Sequence, residues 1–212
     1  MQLAPRLLLI SSLIWTVYCG SQCPPGFKLF QRTPTDKNNH TKEWCLGIVA
    51  NPNNLARRDY ARSLCMSVDT MISIPENKVE ADYLLKFLPS NETKIVIDGY
   101  MTKKCKIQEH KSGYRLNFAK TSGECSVENQ LFEFDDVNSD PTFLKKNHWD
   151  YIPRALSTYK ESAYPGGIGD FSECAVLHRQ VNDAKKETYL DTGYCSDGKE
   201  LLTSVVCGTH PV

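Results

Sequence analysis

Apolar and polar positions change period several times along this chain, and each change marks an element. Leu7 to Val17 is an apolar run broken only by serines and a threonine, preceded by Arg6 and followed by the small residues Cys19 and Gly20. The run is shorter than the roughly 20 apolar residues that span a bilayer. Residues 1–20 are therefore expected to be a signal peptide, leaving a mature domain over 21–212. Residues 33–43 are polar and turn-rich, the pattern of a surface loop. Cys45 to Ala50 predicts a short strand. Pro52, Asn53 and Asn54 form a helix start signal, after which Tyr60, Ala61, Leu64, Cys65 and Val68 recur at helical spacing. That spacing puts the Cys65 thiol on a buried face. Met71, Ile72 and Ile74 make a short buried run. Asn77, with Glu80 three residues on, has the form of a capping box. The stripe Ala81, Leu84, Leu85 and Leu88 predicts a second helix, stopped by Pro89.

Beyond Pro89 the period shortens. Ile95, Val96 and Ile97 predict a buried strand that ends at the turn pair Asp98-Gly99. Tyr114, Leu116 and Phe118 alternate with polar residues, as do Phe132 and Phe134. Residues 135–173 carry little regular pattern and hold Pro141, Pro153, Pro165, Gly166, Gly167 and Gly169. A stretch of that length predicts functional loops. Strand character returns at Cys174 to Leu177, near Tyr189 and at Leu201 to Cys207. Strand, two helices, strands, a long loop and strands again predict an α+β fold with antiparallel sheets.

Charge narrows the function. The formal net charge is zero, from 25 basic and 25 acidic residues. No basic stripe of a nucleic-acid binder is present; Lys103, Lys104 and Lys106, or Lys145 and Lys146, read as solvated faces. Of nine cysteines, Cys19 lies in the expected signal peptide. The others are Cys23, Cys45, Cys65, Cys105, Cys125, Cys174, Cys195 and Cys207, an even set that implies a disulfide framework in an oxidising compartment. No CxxC or paired-histidine spacing suggests zinc. Asn39-His40-Thr41 and Asn91-Glu92-Thr93 are acceptor motifs for N-linked sugar.

Catalytic chemistry finds little support. Bridged cysteines leave no thiolate. No Gly-x-Ser-x-Gly elbow or His-Glu-x-x-His is present. Gly166-Gly167-Ile168-Gly169 lacks the lysine of a phosphate loop. The acidic group Glu133, Asp135, Asp136 and Asp140 reads as a solvated loop. His40, His110, His148, His178 and His210 are scattered. No enzyme and no cofactor is expected.

Several segments together resemble the C-type-lectin-like domain, in the secreted nematode type. Cys23-Pro24-Pro25-Gly26-Phe27 followed by Glu43-Trp44-Cys45 resembles the N-terminal hairpin of the family's long form. Ala61-Arg62-Ser63-Leu64-Cys65 resembles its first-helix cysteine segment, and Met71-Ile72-Ser73-Ile74 the apolar turn before the second helix. Ile95 to Tyr100 stands in place of the family's Trp-Ile-Gly-Leu strand. Glu173 to Leu177, Cys195 and Val205-Val206-Cys207-Gly208 close the pattern. The resemblance implies the pairs Cys23–Cys45, Cys65–Cys207 and Cys174–Cys195, with Cys105–Cys125 as an added bridge.

Sugar-binding members of the family chelate sugar hydroxyls through calcium, which needs about 6–8 oxygen ligands. The resemblance places those ligands at Tyr164, Gly166, Ser172, Asp191 and Thr192, and only Asp191 is a carboxylate. It therefore implies no calcium at the usual position; a slip of the loop would bring in Glu173 and Asp170. Tyr159, Tyr164, Tyr189 and Tyr194 flank Pro165-Gly166-Gly167, and tyrosines either pack beneath such a loop or form a binding face. The expected function is recognition of a glycan or an extracellular protein, with Tyr164, Gly166, Ser172 and Asp191 as candidate ligand-facing residues. The alternative is a structural or inhibitory protein using the scaffold only for protein contacts.

Overall fold

The computed structural model describes residues 20–53, 55, 57–88, 94–111, 114–119, 122–148, 155–160, 174–181, 186–193 and 202–212. Within these, 107–111, 114–119 and 155–160 are described for their backbone alone. The expected signal peptide lies outside the described residues, apart from Gly20.

Among the described residues, eleven strands and three α-helices follow one another in this order: β1 (Lys28–Gln31), β2 (Glu43–Ala50), α1 (Arg58–Met66), β3 (Met71–Ile72), α2 (Lys78–Leu85), β4 (Ile95–Met101), β5 (Lys106–Lys111), β6 (Tyr114–Ala119), β7 (Phe132–Glu133), α3 (Thr142–Lys146), β8 (Ala155–Lys160), β9 (Cys174–Val181), β10 (Glu187–Gly193) and β11 (Ser204–Thr209). The main sheet runs β1-β2-β11-β4-β9-β10, with β3 added to β11 and β7 to β4. All its pairings are antiparallel except β11 with β4, where Ser204 faces Ile95 and Val205 faces Val96. A second sheet, β5-β6-β8, is antiparallel. The α+β class expected from the sequence is the one observed.

The apolar runs are continuous because the main sheet is covered on both faces, as buried strands require. Ile95 and Ile97 point to the cluster that takes Ala81 and Leu84 of α2, together with Trp44, Leu46, Leu177, Leu190 and Val206. Val96, Val176, Val205 and Cys207 point to the other cluster, with Ala61 and Cys65 of α1. Successive strand residues alternate faces, so one apolar run feeds both layers. Gly208 is where the sheet meets Trp44: a Cβ there would stand 2.4 Å from the indole Nε1 and 2.8 Å from Ser73 Oγ.

Four local expectations are corrected. Helix α1 starts at Arg58, not after Asn54, and its N-terminus has no side-chain cap. Asn53 instead donates to the Tyr60 hydroxyl at 2.8 Å. At α2 the Asn77 side chain caps Glu80 N–H at 3.0 Å, but the Glu80 carboxylate turns to Arg32 and Glu76 N–H, so the box is not closed. Asp98-Gly99 is not a turn: β4 runs through it to Met101. The pairing of β4 with β9 shifts between Val96 and Tyr100, which marks a bulge. Gly99, at φ 133°, sits where a Cβ would meet the Ala175 Cβ and a Phe134 ring carbon, both at 2.8 Å. Finally, residues 135–173 are not patternless, since they contain α3 and β8.

The bulge turns Asp98 inward. Its Oδ2 accepts from Asp135 N–H and Asp136 N–H, while Oδ1 is buried with no hydrogen-bond partner among the described residues. Asp136 Oδ2 in turn accepts from the Ser73 and Ser139 hydroxyls, and Ser73 accepts from Trp44 Nε1 at 3.1 Å. Asp135 pairs with Arg58 and Arg62. The 134–140 segment is thus pinned to the core, and its acids are not a solvated loop. Burial pushes the Asp98 carboxyl up to about 7, opposed by the backbone N–H of Asp136 and the Arg58 charge and assisted by the Asp136 charge. An unfolded aspartate titrates near 3.9. Between about pH 4 and 7 the folded chain therefore holds a proton that the unfolded chain has lost, and stability falls as pH rises. Asp98→Asn keeps the acceptor for the two N–H groups. It is expected to raise the thermal midpoint at pH 7 and to flatten the midpoint's decline between pH 4 and 7, as differential scanning calorimetry would show. An unchanged slope would remove Asp98 as its source.

Three of the implied disulfides are formed: Cys23–Cys45, Cys65–Cys207 and Cys105–Cys125. Cys174 is disulfide-bonded; Cys195, its expected partner, lies outside the described residues.

Candidate functional site

Strands β9 and β10 form one edge of the main sheet, with Cys174 opening β9 opposite Gly193, which closes β10. Four polar side chains converge there. Asp191, on β10 opposite Val176, is 8% exposed. Lys94 precedes Ile95, whose partner on β9 is Leu177, so it lies beside His178 and reaches across β9 to β10. Its ammonium is 3.2 Å from Asp191 Oδ2 and donates at 3.2 Å to the Thr192 carbonyl. His178 Nδ1 is 3.6 Å from the same carboxylate oxygen, and the Gln180 amide is 2.5 Å from that ring nitrogen. Asp191 Oδ1 accepts from Thr192 N–H at 2.7 Å. Burial works to raise the Asp191 carboxyl. The His178 contact, the Lys94 charge and the Thr192 N–H outweigh it and hold the group below the ordinary aspartate range.

Calcium at the position the resemblance implies would draw on Asp191 and Thr192, the two slot residues that are described. A bound calcium lies about 2.3–2.6 Å from each ligand oxygen. Here the Asp191 carboxylate and the Thr192 carbonyl, from the two slot residues before Cys195, both face an ammonium. A second cation at Asp191 Oδ2 would meet like charge at contact distance. Sequence reasoning found Asp191 and missed Lys94. The two residues meet only because β4 and β10 flank β9, and no local motif records that.

The remaining candidates are not brought together by the described structure. Tyr164, Gly166 and Ser172, like Tyr194, Asp170 and Glu173, lie outside the described residues, and so does Asn91. Tyr159 is described for its backbone only, on β8. Tyr189 is core. It is buried against Phe143, with ring centroids 5.2 Å apart. Its hydroxyl shares its one proton between Glu187, at 2.9 Å, and Asp82, at 3.2 Å, and accepts from Lys78, tying α2 to β10. Asn39 is exposed, in a left-handed turn.

A polar cleft of about 270 Å³ lies elsewhere, between Arg32, Thr35, Asn38, Glu76 and Asp140. Its groups bond mostly to one another. Glu76 accepts from Asp140 N–H at 2.6 Å and from the Asn38 amide at 3.3 Å. Asn38 also accepts from Thr35 N–H at 2.8 Å. The cleft has the character of an internally satisfied surface.

A mixed sheet covered by a helix on each face, closed by a bridge from the first helix to the last strand, is a C-type-lectin-like domain. The family model for C-type lectin domain-containing protein 141/158 matches residues 29–208, and the chain belongs to this family. It is 26% identical over 142 residues to C-type lectin domain-containing protein 158 of Caenorhabditis elegans. That match spans 64% of this chain and 64% of the length of its relative. Among solved structures, the cow C-type carbohydrate-recognition domain of CD23 is similar at 13% identity and a TM-score of 0.45, covering 91% of this chain and 99% of that one. A calcium-independent type II antifreeze protein is similar at 10% identity and a TM-score of 0.48, covering 92% and 99%. No helix among the described residues is long and apolar enough to cross a membrane.

Proposed function

We propose that this protein is an extracellular recognition module that binds a glycan or protein ligand without calcium and catalyses no reaction. Membership of a C-type lectin domain family supports recognition. The disulfides support an oxidising compartment, since such bridges persist outside the reducing cytosol. Lys94 carries the calcium-free part of the reading. Its ammonium already supplies positive charge to the Asp191 carboxylate and the Thr192 carbonyl. In this reading the ligand face is formed by the segment that contains Tyr164, Gly166 and Ser172. In this reading Asp191, held by Lys94, belongs to the same ligand face.

The test is a glycan array probed with the full chain, with and without EDTA. Equal binding in both conditions is expected, with binding reduced at least several-fold by Tyr164→Ala. Binding abolished by EDTA would overturn the calcium-free reading. Absence of any glycan signal would leave a protein as the ligand class. The electrostatic support has its own check. Lys94→Met is expected to move the Asp191 carboxyl upward, read by NMR titration of that carboxyl. An unmoved titration would show that Lys94 does not hold the charge.

A further inference from the structure

The exposed turn after β1 ends in a residue that the fold does not explain. Thr41 is 4% exposed, and its Oγ1 is buried with no hydrogen-bond partner among the described residues. A buried hydroxyl with no partner destabilises a fold, because it gives up water and gains nothing. Valine fills nearly the same volume without the hydroxyl, so packing alone favours valine at this position. Thr41 is also the third residue of Asn39-His40-Thr41, a motif whose definition requires a hydroxyl at that place. Asn39 itself faces solvent. Its side-chain amide makes only a 3.5 Å contact to Asn138 Oδ1, at the outer limit of a hydrogen bond.

We propose that Asn39 carries an N-linked oligosaccharide attached before this turn folds, and that the Thr41 hydroxyl serves that attachment and not the folded structure. In the transfer, a bond forms between Asn39 Nδ2 and the anomeric carbon of a lipid pyrophosphate-linked oligosaccharide. The carbon–oxygen bond to the pyrophosphate breaks, the amide gives up one proton, and the lipid pyrophosphate leaves. An enzyme that selects the motif must reach the amide and the hydroxyl together. In the folded turn they point apart, one to solvent and one into the protein. The backbone is also fixed: Asn39 and His40 have φ of 51° and 56°, in the left-handed region that L-residues rarely adopt. His40 N–H donates to Thr35 O at 2.9 Å, Thr41 N–H to Asn38 O at 2.9 Å, and Arg32 N–H to Lys42 O at 2.7 Å. The motif is therefore readable only while those bonds are unmade. The neighbouring Asn38 lines the polar cleft, so the sugar is attached one residue from it.

The proposal rests on the extracellular reading, and the experiment separates the two. The full chain is expressed through a eukaryotic secretory pathway and mapped by mass spectrometry. Asn39 is expected to carry sugar in wild type and in Thr41→Ser, and to be bare in Thr41→Val. Wild type and Thr41→Val refolded from bacteria, both without sugar, are then melted. The valine variant is expected to melt about 2–4 °C higher, the shift expected when one buried unpaired hydroxyl is removed from a chain of this size. Microsomes supplied with the lipid-linked donor should modify the reduced, unfolded chain and leave the folded chain bare. A bare Asn39 in secreted wild type or in the unfolded microsomal reaction overturns the proposal. So does a valine variant that is no more stable. A chain that never enters the secretory pathway overturns the extracellular reading instead, and the microsomal arm still decides Asn39.

Discussion

Replacing Arg32 with methionine is expected to remove about 3–5 kcal/mol of stability, the usual loss when one partner of a buried ion pair is deleted. Arg32 has a side chain with no exposure, set against a Glu80 carboxylate that is equally buried. The contact is two-pronged: Nε donates to Oε1 at 3.0 Å and Nη2 to Oε2 at 2.8 Å. The remaining donors are used as well. Nη1 bonds the Asn138 carbonyl at 3.0 Å and the Ser139 hydroxyl at 2.8 Å, and Nη2 reaches the Ile74 carbonyl at 3.3 Å. One guanidinium thus joins the strand-exit segment, the approach to α2 and the 134–140 segment. Methionine leaves Glu80 charged and unpaired in the core, together with two unmet carbonyls. Burial already pushes the neighbouring Glu76 carboxyl upward, against the pull of Arg32, and loss of the cation would push it further.

The control is the double variant Arg32→Met with Glu80→Leu. Replacing a buried pair with apolar groups of similar size is often near neutral. The double variant is therefore expected to be more stable than Arg32→Met alone. Arg32→Lys should rescue little, because three donors on a flexible stem do not reproduce a planar fork. Urea denaturation of wild type, Arg32→Met, Glu80→Leu and the double variant closes the cycle and gives the coupling directly. A single variant within 1 kcal/mol of wild type would show that the network does not hold these segments.

What the sequence could reveal follows the range of the interactions. Helix α2 was legible because Asn77, Ala81 and Leu84 act over one or two turns, and the cap and the buried stripe both form. The cysteine framework was legible through the family likeness, and three of its four bridges are present among the described residues. The start of α1 was misplaced because Pro52 and Asn53 are turn residues, and the Asn53 side chain serves Tyr60 instead of a cap. Asp98-Gly99 misled for a different reason. In a hairpin the pair makes a turn, but within a covered sheet the same glycine makes a bulge against Ala175 and Phe134. The polar network was invisible. Arg32 meets Glu80 48 residues on and Ser139 107 residues on, and no periodicity encodes such a meeting. The same holds for Lys94, which reaches Thr192 across 98 residues. The site's carboxylate was therefore predictable from a motif position, and the cation that neutralises it was not.

Removing the Cys65–Cys207 bridge, by alanine at both positions, is expected to be the most damaging disulfide loss in the molecule. The bridge closes a loop of 142 residues. In the loop-entropy treatment that closure contributes about 5 kcal/mol, against about 3 kcal/mol for the Cys105–Cys125 loop of 20 residues. Packing adds to the difference. Cys65 and Cys207 are fully buried and belong to the cluster of Ala61, Val96, Val176 and Val205. Trimming both sulfurs leaves a gap that rigid neighbours cannot fill. The strand involved is also central. β11 pairs with β2, β3 and β4, and its parallel register with β4 joins the two halves of the main sheet. Without the covalent link, that register must be found from a chain whose ends are free, and the closure entropy falls on the folding reaction. A domain of ordinary stability holds only about 5–15 kcal/mol, so the double-alanine chain is expected to be largely unfolded at 37 °C. Chemical denaturation of this variant beside the Cys105→Ala, Cys125→Ala chain measures the difference. Equal losses for the two would mean that loop length is not what makes the Cys65–Cys207 bridge matter. Its contribution would then lie in local packing around α1 and β11 alone.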